Sequence, residues 1–411
     1  MRAIRSVRER YEMQDRFLQE RLDLIVPRVM AASDADIWLH ASKEYNEDPT
    51  FRALFPANYP TARRLTILAF VKDGDAVRRF HLSMPDEDLE RFYEPWWTNW
   101  REEPQMEALK RLFETYQPQK IAWNCAGGFA YSDGVSCGVA RAIREGVGEK
   151  WASRLAVDDM IPVKVMELRT PSELEAMHEV ADVAYAIIDE MYEPERVTPG
   201  VTTTQDLEWF MRQRTVDLGL DFWFEPTMDL ERAGAEGTRL TGTIEEGDLL
   251  HCDFGIRYMN LCTDTQRLAY VPRAGETEVP SDIRAAMKVN DRFQDIVCEN
   301  MVEGRTGNEV LEASLEAARA EGIDAMLYSH PCNMYGHGPG PTIGLWSNQH
   351  AIPVAGDVPV SYGTTWALEL NTKGACLGKD ACFIYTEETV LLDEHGVHYL
   401  HEGRETVKFI G

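Results

Sequence analysis

Two acidic residues in the second half of the chain lie at equal distances from a predicted turn. Asp253 lies in the apolar run DLLHCDFG and Asp264 in TDTQRLAYV, with the turn predicted around Tyr258 and Met259. In an antiparallel hairpin about this turn the two aspartates would face each other directly, and opposed like charges destabilise a strand pair. Either a divalent metal bridges the two carboxylates, or the register is shifted and both side chains point to solvent.

A second acidic pair repeats this pattern near the C-terminus. Glu369 in TTWALELN and Glu387 in CFIYTEETVLL are equally far from Gly378, which lies in the predicted turn. Glu388 fits almost as well, so spacing alone does not choose between these neighbours. Because a buried carboxylate is costly without a partner charge, two apolar hairpins that each oppose acids favour a metal site over coincidence.

A histidine between the two hairpins completes the predicted ligand set. The segment YSHPCNMYGHGPGPTIG places His337 between glycines, which leave room for an approaching ligand or ion. A histidine in such a loop is usually structural, but the nearby acidic pairs favour metal ligation by its neutral imidazole. Four carboxylates and one imidazole, with two carboxylates bridging, suit a pair of Mn, Co, Fe or Zn ions. Hard oxygen ligands favour Mn.

Two domains are predicted to position these residues, because 411 residues exceed what a single core usually organises. Residues 1–168 alternate helical and strand-like segments and read as an α/β domain without a Gly-rich phosphate loop. The strand-like run DDMIPVKVMEL precedes the boundary. A helix then opens residues 169–411, with Thr170, Pro171 and Glu173 at its N-cap, first and third positions.

The bulk composition excludes several classes of partner. The 42 Lys and Arg against 69 Asp and Glu give a net charge of -27, which opposes binding to nucleic acids and anionic membranes. No stretch approaches the ~18 apolar residues of a membrane span. The N-terminal run MRAIRSVRERYEMQDRFLQERL lacks the apolar core of a secretory signal. The eight cysteines form no CxxC pair, which suits reduced thiols, and we expect a cytoplasmic location.

The motifs taken in order resemble a known enzyme family. GDLLHCDFG, TDTQR, GHGPG, an ELN strand and EETVLL resemble in order and spacing the pita-bread metallopeptidases, which include methionine aminopeptidase, Xaa-Pro aminopeptidase and prolidase. The resemblance implies five ligands for two divalent metal ions. They fall on Asp253, Asp264, His337, Glu369 and Glu387, and Glu387 is preferred over Glu388 because the family ligand precedes an acidic residue and T-V-L.

The resemblance also implies an architecture and an activity. The second domain would be an α+β pita-bread catalytic domain, and the first is similar to the extra domain of creatinase and prolidase, which favours an Xaa-Pro peptidase over methionine removal. Hydrolysis would use a hydroxide held between the ions, and the position of Glu369 is assigned the proton relay to the leaving nitrogen. We expect a small peptide substrate and a homodimer.

Two departures from the family pattern concern histidines that contact substrate. The family usually has one upstream of the first aspartate, and DFWFEPTMDLERAGAEGTRLTGTIEEGD contains none. It also has one seven residues after the ligand histidine, where this chain has Gly344. His330 and His350 flank the motif and are the candidate substitutes. The departures motivate an alternative, a non-peptidase enzyme of the creatinase or sulfonium-lyase type, and a third hypothesis is a binding module without catalysis.

Overall fold

The chain divides near the start of a 21-residue helix. The computed structural model describes residues 3–401, 404 and 406–411. One compact unit comprises Arg5–Ser172, and the other contains Glu173–Gly411.

The first unit is built on a mixed sheet. Its helical segments are α1 (Val7–Glu20), a π-helical turn (Arg21–Ile25), α2 (Val26–Ala32), α3 (Phe51–Leu54), α4 (Glu87–Glu90), α5 (Gln105–Tyr116), a 3-10 turn (Ala130–Ser132), α6 (Cys137–Val147), α7 (Glu149–Ala152) and α8 (Met160–Glu167). Its strands are β1 (Ile37–Lys43), β2 (Leu65–Asp73), β3 (Ala76–Leu82), β4 (Glu94–Pro95), β5 (Ile121–Trp123) and β6 (Leu155–Ala156). They lie in the order β4-β3-β2-β1-β5-β6, with a core formed between the sheet and apolar side chains of α5 and α6.

The run DDMIPVKVMEL was predicted to be a strand, and this prediction is wrong. Residues Met160–Glu167 form helix α8, and six of its eight residues are buried. A continuous apolar run has no periodicity that separates a buried helix from a buried strand. Pro162 is compatible with the helix because it lies in the first turn, where its missing N–H has no partner to lose.

The second unit combines four helices with two sheets among the described residues. The helices are α9 (Pro171–Met191), α10 (Thr204–Asp217), α11 (Ser281–Asn300) and α12 (Gly307–Ala320). The strands are β7 (Asp221–Phe222), β8 (Thr227–Glu231), β9 (Leu249–Phe254), β10 (Ile256–Tyr258), β11 (Leu261–Cys262), β12 (Thr265–Tyr270), β13 (Asp324–Leu327), β14 (His330–Pro331), β15 (Thr364–Cys376), β16 (Lys379–Asp393), β17 (Gly396–Tyr399) and β18 (Lys408–Phe409).

The larger sheet of this unit runs in the order β13-β15-β16-β12-β9-β8, while β11, β10 and β7 form a small sheet. Successive residues of a strand point to opposite faces. On β15, Trp366, Leu368 and Leu370 pack into a core with side chains of α11 and α12. Glu369 therefore projects from the other face, away from that core.

The two acidic hairpins differ in how well their register was predicted. Glu369 pairs directly with Glu387, as predicted, and Glu388 lies opposite Leu368. Asp253, however, pairs with Gln266 rather than with Asp264. The predicted direct opposition of the two aspartates is therefore wrong, although Asp264 remains on the same face as Gln266, two residues before it.

The shift of the first hairpin comes from its turn. Tyr258 pairs with Leu261, so the turn lies at Met259 and Asn260, one residue later than predicted. Both turn residues adopt left-handed backbone conformations, with φ of 52° and 62°. Such values match the twist of a tight two-residue hairpin. They are uncommon for methionine and more frequent for asparagine, and the alternation of apolar residues does not indicate them.

One pair of cysteines departs from the expectation of reduced thiols. Cys376 and Cys382 form a disulfide near the tip of the β15–β16 hairpin, with Cα atoms 5.6 Å apart. In the strand register Cys382 pairs with Gly374 and Cys376 with Lys379, and the two cysteines meet where the register shifts between Gly374 and Cys376, which their spacing in the sequence did not indicate. Among the described residues, the other six cysteines are not assigned to a disulfide. Within the described ranges, no helix is long and apolar enough to cross a membrane.

Candidate metal centre

Neighbouring strands of the larger sheet place four polar residues in one row. Asp253 on β9 pairs with Gln266 on β12, Gln266 with Glu387 on β16, and Glu387 with Glu369 on β15. Directly paired residues project from the same face of a sheet, and so does Asp264, two residues before Gln266. Three strand pairings therefore bring together all four predicted acidic ligands.

A buried histidine joins this acidic row. His330 begins β14, which pairs with β15. Its Nε2 lies 3.6 Å from Oδ2 of Asp264 and 3.9 Å from Oε1 of Glu387. The potential ligand atoms of His330, Glu369 and Glu387 lie within 4.8 Å of one another, as do those of Asp253, Asp264 and Glu387. These two groups of three potential ligands share Glu387.

His337 lies beside this centre but in a different environment. A third group of potential ligand atoms joins His337 to Asp264 and His330, within the same 4.8 Å limit. The two imidazole rings are nearly perpendicular, with centroids 4.5 Å apart. His330 is buried, whereas His337 is exposed. His350 is also exposed, and none of the three groups found among the described residues includes it.

Three buried ligand atoms at this centre have no hydrogen-bond partner among the residues that the structure describes. They are Oδ1 of Asp253, Oε1 of Glu387 and Nε2 of His330. Buried polar atoms in folded proteins are nearly always paired. Here two carboxylate oxygens and one imidazole nitrogen converge with free lone pairs, which is the donor set that divalent transition metals take. The residues present therefore fit a metal centre.

The electrostatics of the acidic row lead to the same requirement for a cation. Burial raises the pKa of Asp253 to about 6 and that of Glu369 to about 8. Burial and neighbouring carboxylates raise the pKa of Asp264 and of Glu387 well above its ordinary value. Burial lowers the pKa of His330 to about 3, so this imidazole is neutral at pH 7 and keeps a lone pair. Without added positive charge the four acids cannot all ionise.

A chain of hydrogen bonds leads from Glu369 to the far side of the row. Nε2 of Gln266 donates to Oε1 of Glu369 at 2.7 Å, and Oε1 of Gln266 lies 3.0 Å from Nε2 of His251. Nδ1 of His251 lies 3.2 Å from Oδ2 of Asp229, which also accepts from Nε of Arg239 at 2.8 Å. Burial opposes protonation of His251, but the bond to Asp229 raises the pKa of this imidazole on balance.

Comparison with known proteins assigns the family. Residues 175–398 match the sequence profile of metallopeptidase family M24, more than half of the chain. The chain belongs to this family. Members of family M24 use divalent metal ions, which agrees with the donor set described above. No curated protein sequence matches the chain.

Solved structures confirm the predicted family M24 architecture across both units. An X-Pro aminopeptidase from Thermotoga maritima has a TM-score of 0.66 and 16% identity, covering 93% of this chain and 100% of that one. A dipeptidase from Pyrococcus horikoshii has a TM-score of 0.61 and 16% identity over 95% and 100%. An Xaa-Pro dipeptidase from Bacillus anthracis has a TM-score of 0.58 and 15% identity over 98% and 100%. The pita-bread catalytic domain preceded by an α/β domain is therefore the fold of this chain.

An aromatic wall holds the outer histidine of this family M24 site. The indole Nε1 of Trp223 donates to the backbone oxygen of Thr263 at 2.8 Å. Its ring meets His337 edge-on with centroids 5.1 Å apart. A Cβ atom on Gly336 would lie 1.9 Å from the indole, so only glycine permits this approach. Trp223 thereby fixes the position of the loop that carries His337.

Sequence reasoning did not find every residue of the centre. It named the four acids, but it considered His330 only as a substitute for an outer histidine and did not name Gln266, His251 or Trp223. The sequence did contain a signal for His251 and Gln266. His251 precedes Asp253 by two residues and Gln266 follows Asp264 by two, so strand alternation alone places each on the same face as an acid.

Proposed function

We propose that this family M24 protein is a dinuclear metallopeptidase that cleaves Xaa-Pro peptides. Its ligands would be Asp253, Asp264, His330, Glu369 and Glu387. The observation that carries the proposal is the convergence of buried, unpartnered ligand atoms from Asp253, Glu387 and His330, in the part of the chain that the structure describes. Two divalent ions would supply the four positive charges that four carboxylates require.

The proposal moves the imidazole ligand from His337 to His330. His330 is buried, its Nε2 faces Asp264 and Glu387, and its low pKa keeps it neutral. The family resemblance also expects a second histidine seven residues after the ligand histidine. His337 stands seven residues after His330, so the expected spacing is met by this pair. His337 would then contact substrate, and one apparent departure from the family pattern disappears.

The chemistry follows from where the acids and the amide lie. Two divalent ions held here would lower the pKa of a water molecule towards neutrality and polarise the scissile carbonyl group. Glu369 has Oε1 occupied by the amide of Gln266, which leaves Oε2 to take a proton from the attacking water and deliver it to the leaving nitrogen. His337 lies at the exposed side of the centre, where it would hydrogen-bond to the substrate backbone.

The proposal also covers the substrate, the metal and the assembly. The similar solved structures are an X-Pro aminopeptidase, an Xaa-Pro dipeptidase and a dipeptidase, which favours a small peptide with proline after the scissile bond. An oxygen-rich ligand set favours manganese, with Co, Zn or Fe as alternatives.

We also propose a cytoplasmic homodimer with domains at residues 1–168 and 169–411. The charge of -27 argues against nucleic acid as a partner.

One experiment tests the proposed function. Protein purified without added metal is analysed for bound metal, loaded with Mn, Co or Zn, and assayed against a panel of Xaa-Pro dipeptides and tripeptides. Two ions per chain and cleavage at the Xaa-Pro bond are expected. Two bound ions with no cleavage of any peptide would remove the peptidase proposal and favour a non-peptidase reaction at the same centre. Absence of metal binding would remove the dinuclear site itself.

A further inference from the structure

Gln266 is the neutral member of a row that otherwise contains acids. It lies between Asp253 and Glu387 in the strand register and is 3% exposed. Both ends of its amide are engaged, with Nε2 towards Glu369 at 2.7 Å and Oε1 towards His251 at 3.0 Å. An amide at this place supplies a hydrogen-bond donor to Glu369 without adding another negative charge to the centre.

The metal-ligand end of the hydrogen-bond chain determines the direction of the bond to Glu369. Glu369, as a metal ligand, is a carboxylate and can only accept, so the amide must present its N–H to it. The amide oxygen then faces Nε2 of His251 at 3.0 Å. At the other end of the chain, Oδ2 of Asp229 accepts from Nε of Arg239 and lies 3.2 Å from Nδ1 of His251.

This arrangement determines the orientation of the side-chain amide of Gln266. The last torsion of a glutamine side chain is broad and nearly two-fold, so rotation by half a turn costs little by itself. Rotation here would place the amide oxygen against the carboxylate of Glu369, which has no hydrogen to donate. That contact would be repulsive, and in a buried site such a mismatch is expensive. On its other side the amide contacts His251, which in turn contacts Asp229, and these contacts lock Gln266 in place.

We propose that Gln266, locked by His251 and Asp229, is a positioning residue for Glu369. The amide holds Oε1 of Glu369 so that Oε2 is aimed at the ions and at the reacting water. The inference rests on the proposed function for the role of Glu369 in catalysis. The positioning itself concerns the geometry of a metal ligand, so it can be measured in protein that cleaves nothing.

The first test removes the amide while keeping the volume of the side chain. Gln266→Met should lower kcat for the best Xaa-Pro substrate about 10- to 100-fold with little change in KM, the usual range for a partner of a metal ligand. The visible absorption spectrum of the Co-loaded variant should change, because the coordination of Glu369 changes. Gln266→Asn keeps the amide but shortens its reach. This variant should therefore restore neither the wild-type kcat nor the wild-type cobalt spectrum.

A matched control separates positioning from loss of buried hydrogen bonds in general. Gln294 on α11 is also buried, and its amide contacts Asn290, Thr386 and Tyr399 rather than any acid of the centre. Gln294→Met should lower the melting temperature without changing kcat or the cobalt spectrum. If Gln266→Met binds two ions and leaves both kcat and the cobalt spectrum unchanged, the positioning role is refuted.

A double-mutant cycle tests the lock. His251→Phe keeps the ring volume and should lower kcat and alter the cobalt spectrum in the wild-type background. In the Gln266→Met background it should produce no further change, because its effect passes through the amide. Equal effects of His251→Phe in both backgrounds would overturn the lock. If the protein cleaves no peptide, the proposed function fails, while the cobalt spectra of the four proteins still decide the positioning role.

Discussion

Loading the metal-free protein with divalent ions at pH 7 should release at least about one proton. Ordinary aspartate and glutamate side chains are ionised at this pH and would release none. Burial raises the pKa of Glu369 to about 8, which makes it about nine-tenths protonated at pH 7. Asp253, with a pKa of about 6, contributes only about one-tenth of a proton.

The other two acids add to this release. Burial and repulsion by neighbouring carboxylates raise the pKa of Asp264 and of Glu387 well above its ordinary value, so each is more protonated at a given pH than an exposed acid would be. All four must become carboxylates to act as ligands, so metal binding displaces these protons.

The assay is titration calorimetry with Mn at pH 7 in buffers of different ionisation enthalpy. The slope of the observed enthalpy against the buffer enthalpy gives the number of protons released. Glu369→Gln should reduce that number by about one, because its pKa places nearly one proton there. Glu316→Gln, an exposed acid on α12, is the control and should leave it unchanged. Fewer than about half a proton released by wild-type protein would show that the acids are already ionised, and the reasoning would fail.

The other predictions concern the histidines, stability and one glycine. His330→Ala should lose one of two bound ions in metal analysis, whereas His337→Ala should keep both and mainly raise KM; the reverse result would restore His337 as the ligand. Because the folded pKa of Glu369 lies above its unfolded value, the metal-free folded state binds more protons, so its stability should fall as pH rises from about 4.5 to about 8. Urea unfolding in EDTA at pH 5 and pH 8 measures this, and a rise with pH would contradict it. Gly336→Ala should cost about 1–3 kcal/mol through its clash with Trp223, and an unchanged melting temperature would exclude that contact.

The acidic half of the centre could be predicted because it follows from strand alternation and hairpin length. The long β15–β16 hairpin keeps a regular register from Thr364 through Gly374, so counting from Gly378 placed Glu369 opposite Glu387 correctly. In the first hairpin, counting residues from the predicted turn gave the wrong pairing. Its turn has left-handed conformations at Met259 and Asn260, and although asparagine favours that conformation, methionine does not, so the turn was predicted one residue too early and the pairing shifted with it.

The histidine could not be assigned from local sequence because burial decides between the two candidates. The glycines around His337 indicated an open loop, whereas His330, which precedes a proline, had no local feature that indicated a metal ligand. Pairing of β14 with β15 places His330 next to Glu387 in space, although 57 residues separate them in the sequence numbering. That proximity is a product of the finished sheet, and no periodicity within the loop encodes it.

The row of paired strands that carries the acids also makes the centre a late product of folding. Asp253, His330 and Glu387 come from segments far apart along the chain, and contacts of such separation form only after large loops close. A chain lacking the β15–β16 hairpin would retain neither Glu369 nor Glu387. High-affinity metal binding would therefore indicate that the sheet is complete. Ions in the medium would stabilise fully folded molecules relative to partly folded ones by mass action.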